Sequence, residues 1–235
     1  MGAHDTSSPA PRAVLLDALG TLVDLDDPVG GVGAALARRG VRAAPAEVGA
    51  ALRREMAFYR AEHHRAADRA GLEALRDDCA RVLAGALPAA AALPAAEVRA
   101  ALLEGLRFRV FPEVPGALDA LRAAGTRLVV VSNWDVSLHD VLEDTGLAGR
   151  FDAVLTSAEE GVAKPDGELF RRALERAGGI APADALHAGD DPRTDVRGAL
   201  AAGLRAVLVD RTGRAQAPRG AAVIGGLDEL PGAAR

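Results

Sequence analysis

From residue 127 onward, short apolar runs alternate with amphipathic helical patterns, and few folds can accommodate that alternation. The runs are 127–131, 152–155, 185–188, 205–209 and 222–224, preceded by an isolated one at 13–16. The helical patterns between them cover about 115–124, 136–145, 168–177 and 194–202. Each closes on a glycine, Gly125, Gly146, Gly178 or Gly203, as helix C-termini commonly do. Continuous apolar strands separated by helices predict an α/β fold: a Rossmann-like parallel sheet with helices on both faces. Ligands of such sheets bind at the carboxyl ends of the strands. Asp17, Ser132, Thr156 and Gly189–Asp190 stand at those ends.

Residues 25–108 read differently. Ala, Leu, Glu and Arg recur there at helical spacing with no convincing strand, which predicts a small all-α cap inserted after the first strand. The core is then 12–24 and 109–235, with hinges at 28–33 and 109–115 and a disordered polar tail over 1–11. The start, MGAHDTSSPAPR, has no apolar signal core. The longest alanine-rich run, 84–96, is broken by Pro88 and Pro94, and no stretch reaches the length of a membrane span. A net charge of -5 argues against a general nucleic-acid surface. Cys79 is the single cysteine, so it has no internal disulfide partner; it reads as a buried helix residue. A cytoplasmic protein acting on a small molecule, as monomer or homodimer, is expected.

Composition matters at one point. Of 28 basic residues, only Lys164 is a lysine; the rest are arginine. Arg presents a broad planar fork and Lys a compact point charge. In a chain whose coding bias replaces Lys with Arg, the survivor marks either chance or a need for a small cation in a tight space. Pro165 biases Lys164 towards an extended backbone, which suits a side chain projecting from a loop. The only asparagine, Asn133, adjoins the only tryptophan, Trp134.

Four strand ends carry chemistry. Asp17 leaves the first run and is followed by Ala18-Leu19-Gly20-Thr21, whose amides can cradle an anion and whose threonine can bond Asp17 or the loop. Ser132-Asn133 offers a hydroxyl before a helix, suited to a phosphate oxygen. Lys164 is the third. Gly189-Asp190-Asp191-Pro192-Arg193-Thr194-Asp195 places three carboxylates within six residues, a density that favours a bound cation; oxygen ligands suit Mg²⁺. Each has a plainer reading: a strand-capping Asp, an N-cap Ser, a solvated acidic loop.

In that order the set resembles the haloacid dehalogenase superfamily, in its branch with a helical cap after the first motif, over about residues 12–231. The resemblance implies that Asp17 is a covalent nucleophile and Mg²⁺ ligand, and that Ser132 binds the transferring group. Lys164 would neutralise charge and hold Asp17. Asp190 would ligate Mg²⁺ with the Leu19 carbonyl, and Asp191 and Asp195 would be ligands or support them. Thr21 and Asn133 would meet the substrate.

One position departs from the pattern. Phosphatases of this superfamily usually carry a second Asp two residues after the nucleophile, which protonates the leaving group; here it is Leu19. Members that cleave carbon–halogen bonds also lack it, usually with an aromatic there, and are assisted by a cap arginine, for which Arg54 is the candidate. Those metal-free enzymes lack the acidic Gly189-Asp190-Asp191 arrangement, however. Members acting on phosphonoacetaldehyde need a cap lysine, and this cap has none. The resemblance therefore implies a Mg²⁺-dependent phosphatase acting through an aspartyl-phosphate on Asp17. A 2-haloacid dehalogenase-type hydrolase and a catalytically weakened binding protein are the alternatives. His63 and His64 are adjacent and point apart, so a shared metal is not expected. His139 and His187 stand near the site or serve packing, Asp24, Asp26 and Asp27 are expected in solvent, and Trp134 packs on substrate, cap or core.

Overall fold

The computed structural model describes residues 10–216 and 218–230. Most of the expected tail, 1–9, lies outside them; Pro11 is buried and its carbonyl accepts from Thr126 Oγ1. Six parallel strands form the main sheet: β1 (Ala13–Leu16), β4 (Arg127–Ser132), β5 (Ala153–Thr156), β6 (Ala185–Gly189), β7 (Arg205–Val209) and β8 (Ala221–Ile224). Their order is β5-β4-β1-β6-β7-β8, every neighbouring pair parallel. All six apolar runs are thus strands, to within a residue at either end.

Both faces of the sheet are covered, as continuous apolar strands require. Ala13, Leu15, Val129 and Val131 pack with Leu169, Phe170 and Ala173 of α8 (Gly167–Arg176). Their alternates Val14, Leu16, Leu128 and Val130 face the other way and are equally buried. The four glycines expected at helix ends all have positive φ, between 72° and 102°. The pattern at 194–202 is not one α-helix. It is a π-helical turn, Pro192–Arg197, running into the short α9 (Gly198–Ala201).

The chain divides into two compact units. Among the described residues, one holds those through Asp24, Val110–Asn133 and those from Leu142 on; the other holds Leu25–Arg109 and Trp134–Val141. The second unit is built from α1 (Pro28–Arg38), α2 (Pro45–Glu62), α3 (Arg69–Ala86) and α4 (Ala95–Gly105) around one apolar cluster. Two short strands that escaped the sequence reading, β2 (Val23–Leu25) and β3 (Phe108–Val110), form a second sheet; three residues are too few for an alternation signal. Cys79 is buried on α3, where loss of water and the neighbouring Glu55 raise its pKa. Trp134 packs on Phe108 with ring centroids 5.3 Å apart. Among the described residues no helix is long and apolar enough to cross a membrane.

The stretch 28–33 is not a loop but the start of α1. Asp27 caps α1 by accepting from the Gly30 amide at 3.0 Å, with Pro28 in the first turn, and Gly31 serves close packing, since a Cβ there would fall 2.5 Å from the Gly105 carbonyl. A Cβ on Gly105 would stand 2.4 Å from Val32 N and 2.5 Å from Val32 Cα, so α1 and α4 touch backbone to backbone there. Gly105→Ala is expected to destabilise the protein by about 1–3 kcal/mol, because backbone cannot yield as a side chain can. Denaturant unfolding checks this; an unchanged midpoint would contradict the close contact.

Candidate active site

Every residue of the acidic constellation belongs to the first unit. In the strand order, β1 lies between β4 and β6, which the chain reaches by winding outward on one side and then crossing to the other. Such a reversal opens a crevice at the strands' carboxyl ends. Leu16 pairs with Val130 on one side and Ala188 on the other, so the next residues along these strands come together. Asp17 continues the strand by donating its amide to the Ala188 carbonyl at 3.0 Å.

Asp17 is buried, and its Oδ1 accepts from Ser132 Oγ at 2.9 Å and Lys164 Nζ at 2.6 Å. Lys164 Nζ stands equally close, 2.6 Å, to Asp195 Oδ1. Lys164 projects from the loop before α8, as its place before Pro165 suggested, and its side chain runs inward, leaving the residue only 4% exposed. Burial alone would lower its pKa, but the Asp17 and Asp195 carboxylates prevail and push it up to about 12. Burial raises the pKa of Asp17, an effect that Lys164 opposes and Asp195 augments. Asp195 is held well below the usual carboxylate range: burial works against its charge, and Lys164 and His187 outweigh burial.

Asp195 has no free oxygen. Its Oδ1 accepts from Lys164 and from His187 Nε2 at 3.1 Å, and its Oδ2 from the Asp191 amide at 3.0 Å. Asp190 is the opposite case. It is exposed to solvent, and no Lys or Arg among the described residues pairs with it. Displacement of water by surrounding protein, then the Asp17 and Asp195 charges, push its pKa up to about 7, an effect that solvent on its open side moderates. Carboxylate oxygens of Asp17, Asp190 and Asp195 all lie within 4.8 Å of one another. The loop after Asp17 is pressed against Asp190: Gly20 has φ +80°, and a Cβ there would fall 2.3 Å from Asp190 Oδ2.

Several sequence-predicted site residues have other work. Asn133 turns its amide to a neighbour: Nδ2 donates to the Lys164 carbonyl at 2.9 Å and Oδ1 accepts from the Lys164 amide at 2.8 Å, clamping that residue's backbone. Asp191 is outside the carboxylate cluster, because its Oδ1 caps the following turn by accepting from Arg193 N and Thr194 N. Thr21 does not bond Asp17; its hydroxyl is buried and has no hydrogen-bond partner among the described residues. Among the described residues none donates to the Leu19 carbonyl, whereas Ala18 O accepts from Leu22 and Val23. Arg54 is exposed on α2, in the other unit, as is His64 beside the buried His63. His139 is exposed, and His187, fully buried on β6, is the partner of Asp195 that spacing alone did not reveal.

With that geometry in place, comparison with known proteins is informative. The family model for haloacid dehalogenase-like hydrolases matches residues 11–203. The phosphoserine phosphatase of Thermus thermophilus is 44% identical over 116 residues, 49% of this chain and 46% of that protein. The mouse haloacid dehalogenase-like hydrolase domain-containing protein 3 is 46% identical over 92 residues, 39% of this chain and 36% of its own length. The match therefore spans less than half of either relative. Among solved structures, a 2-haloacid dehalogenase from Pseudomonas syringae superposes with a TM-score of 0.65 at 26% identity, covering 95% of this chain and 97% of that one.

Proposed function

The chain belongs to the haloacid dehalogenase-like hydrolase family, and within it we propose a metal-dependent phosphatase that moves the phosphoryl group of a small metabolite onto Asp17. The observation that carries this reading is Asp190, an acidic group with no basic partner among the described residues, beside an Asp17 that shares one lysine with Asp195. With all three carboxylates ionised, one ammonium leaves two negative charges over. A divalent cation balances them.

The donor set fits Mg²⁺. Asp17 Oδ2, both Asp190 oxygens and the Leu19 carbonyl accept no hydrogen bond within the described protein, and all are hard oxygen donors. Asp195, with both oxygens hydrogen-bonded, holds Lys164 beside that set. The bound ion would stabilise negative charge on the phosphoryl oxygens. The remaining work falls to the chain. A carboxylate oxygen of Asp17 attacks phosphorus, the ester oxygen leaves with the bonding electrons, and water later cleaves the acyl phosphate to regenerate Asp17. Ser132 and Lys164 keep the carboxylate oriented and supply donors to the incoming group. Residues 25–108 act as a cap that selects the substrate.

Leu19 favours a second reading, dehalogenation, since halide departs without a proton. A release assay over phosphate esters and 2-haloacids, with and without Mg²⁺, separates the two: phosphate release that needs Mg²⁺ supports the proposal, and metal-independent halide release overturns it. The metal is tested without turnover. Asp190→Asn is expected to weaken Mg²⁺ binding by at least about 10- to 100-fold in calorimetric titration; equal affinity in both proteins would remove the metal from the site.

A further inference from the structure

Arg211 lies just beyond the carboxyl end of β7, an edge whose other strand ends supply the constellation. Its guanidinium reaches back across nearly the whole chain to the nucleophile loop. Nε donates to the Gly20 carbonyl at 3.1 Å and Nη2 to the Thr21 carbonyl at 2.8 Å. Nη1 stands 2.6 Å from Glu113 Oε1, and the guanidinium carbon lies 3.4 Å from the Phe111 ring centroid. Phe111 is itself tied to the loop, donating its amide to the Leu22 carbonyl. The planar fork thus meets two adjacent carbonyls, a carboxylate and an aromatic face.

The loop so held is the one pressed against the Asp190 carboxylate at Gly20. Arg211 and Asp190 both bear on it, and its freedom sets how Asp17 stands relative to Asp190. The Gly20 and Thr21 carbonyls are bonded to Arg211, whereas the Leu19 carbonyl has no donor among the described residues. We propose that Arg211 is a positioning residue, which fixes the loop after Asp17 by forking onto the Gly20 and Thr21 carbonyls, so that its shape and not only its charge is required. The kinetic half of this rests on the reading above, that Asp17 is the nucleophile.

Arg211→Lys keeps the charge and loses the fork. Two measurements on the full chain test it: steady-state kinetics with an aryl phosphate and Mg²⁺, and amide hydrogen exchange over residues 18–23. The expected result is a kcat lower by about 10- to 100-fold with KM little changed, since a misplaced nucleophile costs turnover more than binding. Exchange at the loop should quicken while the β-strands stay protected. Wild-type kcat together with unchanged loop exchange would overturn the proposal. So would a fall in global stability that quickens exchange everywhere and leaves kcat intact, since that is a merely structural role. If the wild-type protein hydrolyses no ester, the phosphatase reading fails, and Arg211 is judged by loop exchange alone: faster in the variant supports it, unchanged overturns it. Should Arg211→Lys not fold, Phe111→Leu removes the ring beneath the fork while keeping its donors. The same two measurements then apply, with an expected kcat loss of about 3- to 10-fold and the same outcomes counting against the proposal.

Discussion

Lys164→Arg is expected to lower turnover of an aryl phosphate by about 10²- to 10³-fold, the scale seen when one preorganised donor is lost from a site where charge develops. The substitution keeps the positive charge, so its effect measures shape. Lys164 Nζ lies 2.6 Å from both Asp17 Oδ1 and Asp195 Oδ1, in a space that leaves the residue 4% exposed. A guanidinium needs a broader slot than a single ammonium, and the walls here are two carboxylates whose positions matter. Widening the slot moves Asp17 away from Ser132, which holds the same oxygen. Steady-state kinetics and circular dichroism on the variant check the outcome, and a folded, fully active arginine protein would make the lone lysine an accident of composition. The pH dependence has a definite sign. The folded pKa of Lys164, about 12, lies above its ordinary 10.5, so its contribution to stability is complete below about pH 10.5 and is lost as pH rises towards 12. Alkaline loss of activity below that window has another origin.

Lys164 was legible because residue type alone flagged it, in a chain with no other lysine. The sheet was legible for a related reason: six apolar runs and four terminal glycines are local signals, and a buried parallel strand leaves little else to be read into them. What escaped was partnership. Asn133 looks identical in sequence whether its amide meets a ligand or clamps the Lys164 backbone, and Asp190, Asp191 and Asp195 are three equivalent letters until hydrogen bonds separate them. Asp191 is drawn to the amides of Arg193 and Thr194 and Asp195 to Lys164 and His187, while Asp190 has no such partner among the described residues. Arg211 escaped for the opposite reason to Lys164. As one arginine among many it carried no compositional signal, although it too follows a strand end. The same expectation about strand ends, extended to β7, would have reached it. The stretch 28–33 misled because glycine serves both flexibility and close approach. At Gly31 only the distance to the Gly105 carbonyl tells which.

Leu19→Asp should raise the turnover of alkyl phosphates by about one to three orders of magnitude, within the usual worth of general acid–base catalysis. Leucine leaves the nucleophile, Ser132 and Lys164 in place but supplies no proton to a departing alkoxide. An aryl or acyl phosphate leaves as a stable anion and needs little protonation, so its first step should change much less. Selectivity is therefore the sharper readout: the ratio of aryl to alkyl rates should fall in the variant, because only the alkyl rate gains. Breakdown of the acyl phosphate also benefits, since the new carboxylate can take a proton from the attacking water. The position tolerates the change better than a core site would. Leu19 is half-buried, in a loop whose fold rests on backbone bonds at Ala18, Gly20 and Val23 rather than on its own side chain. A new carboxylate beside Asp17 and Asp190 adds negative charge, so its pKa rises, which suits an acid that must hold its proton near neutrality. Unfolding and Mg²⁺ titrations on the variant separate damage from chemistry. A variant that folds, binds Mg²⁺ as the parent does and gains nothing on any ester would mean that phosphoryl transfer is not the reaction of this site.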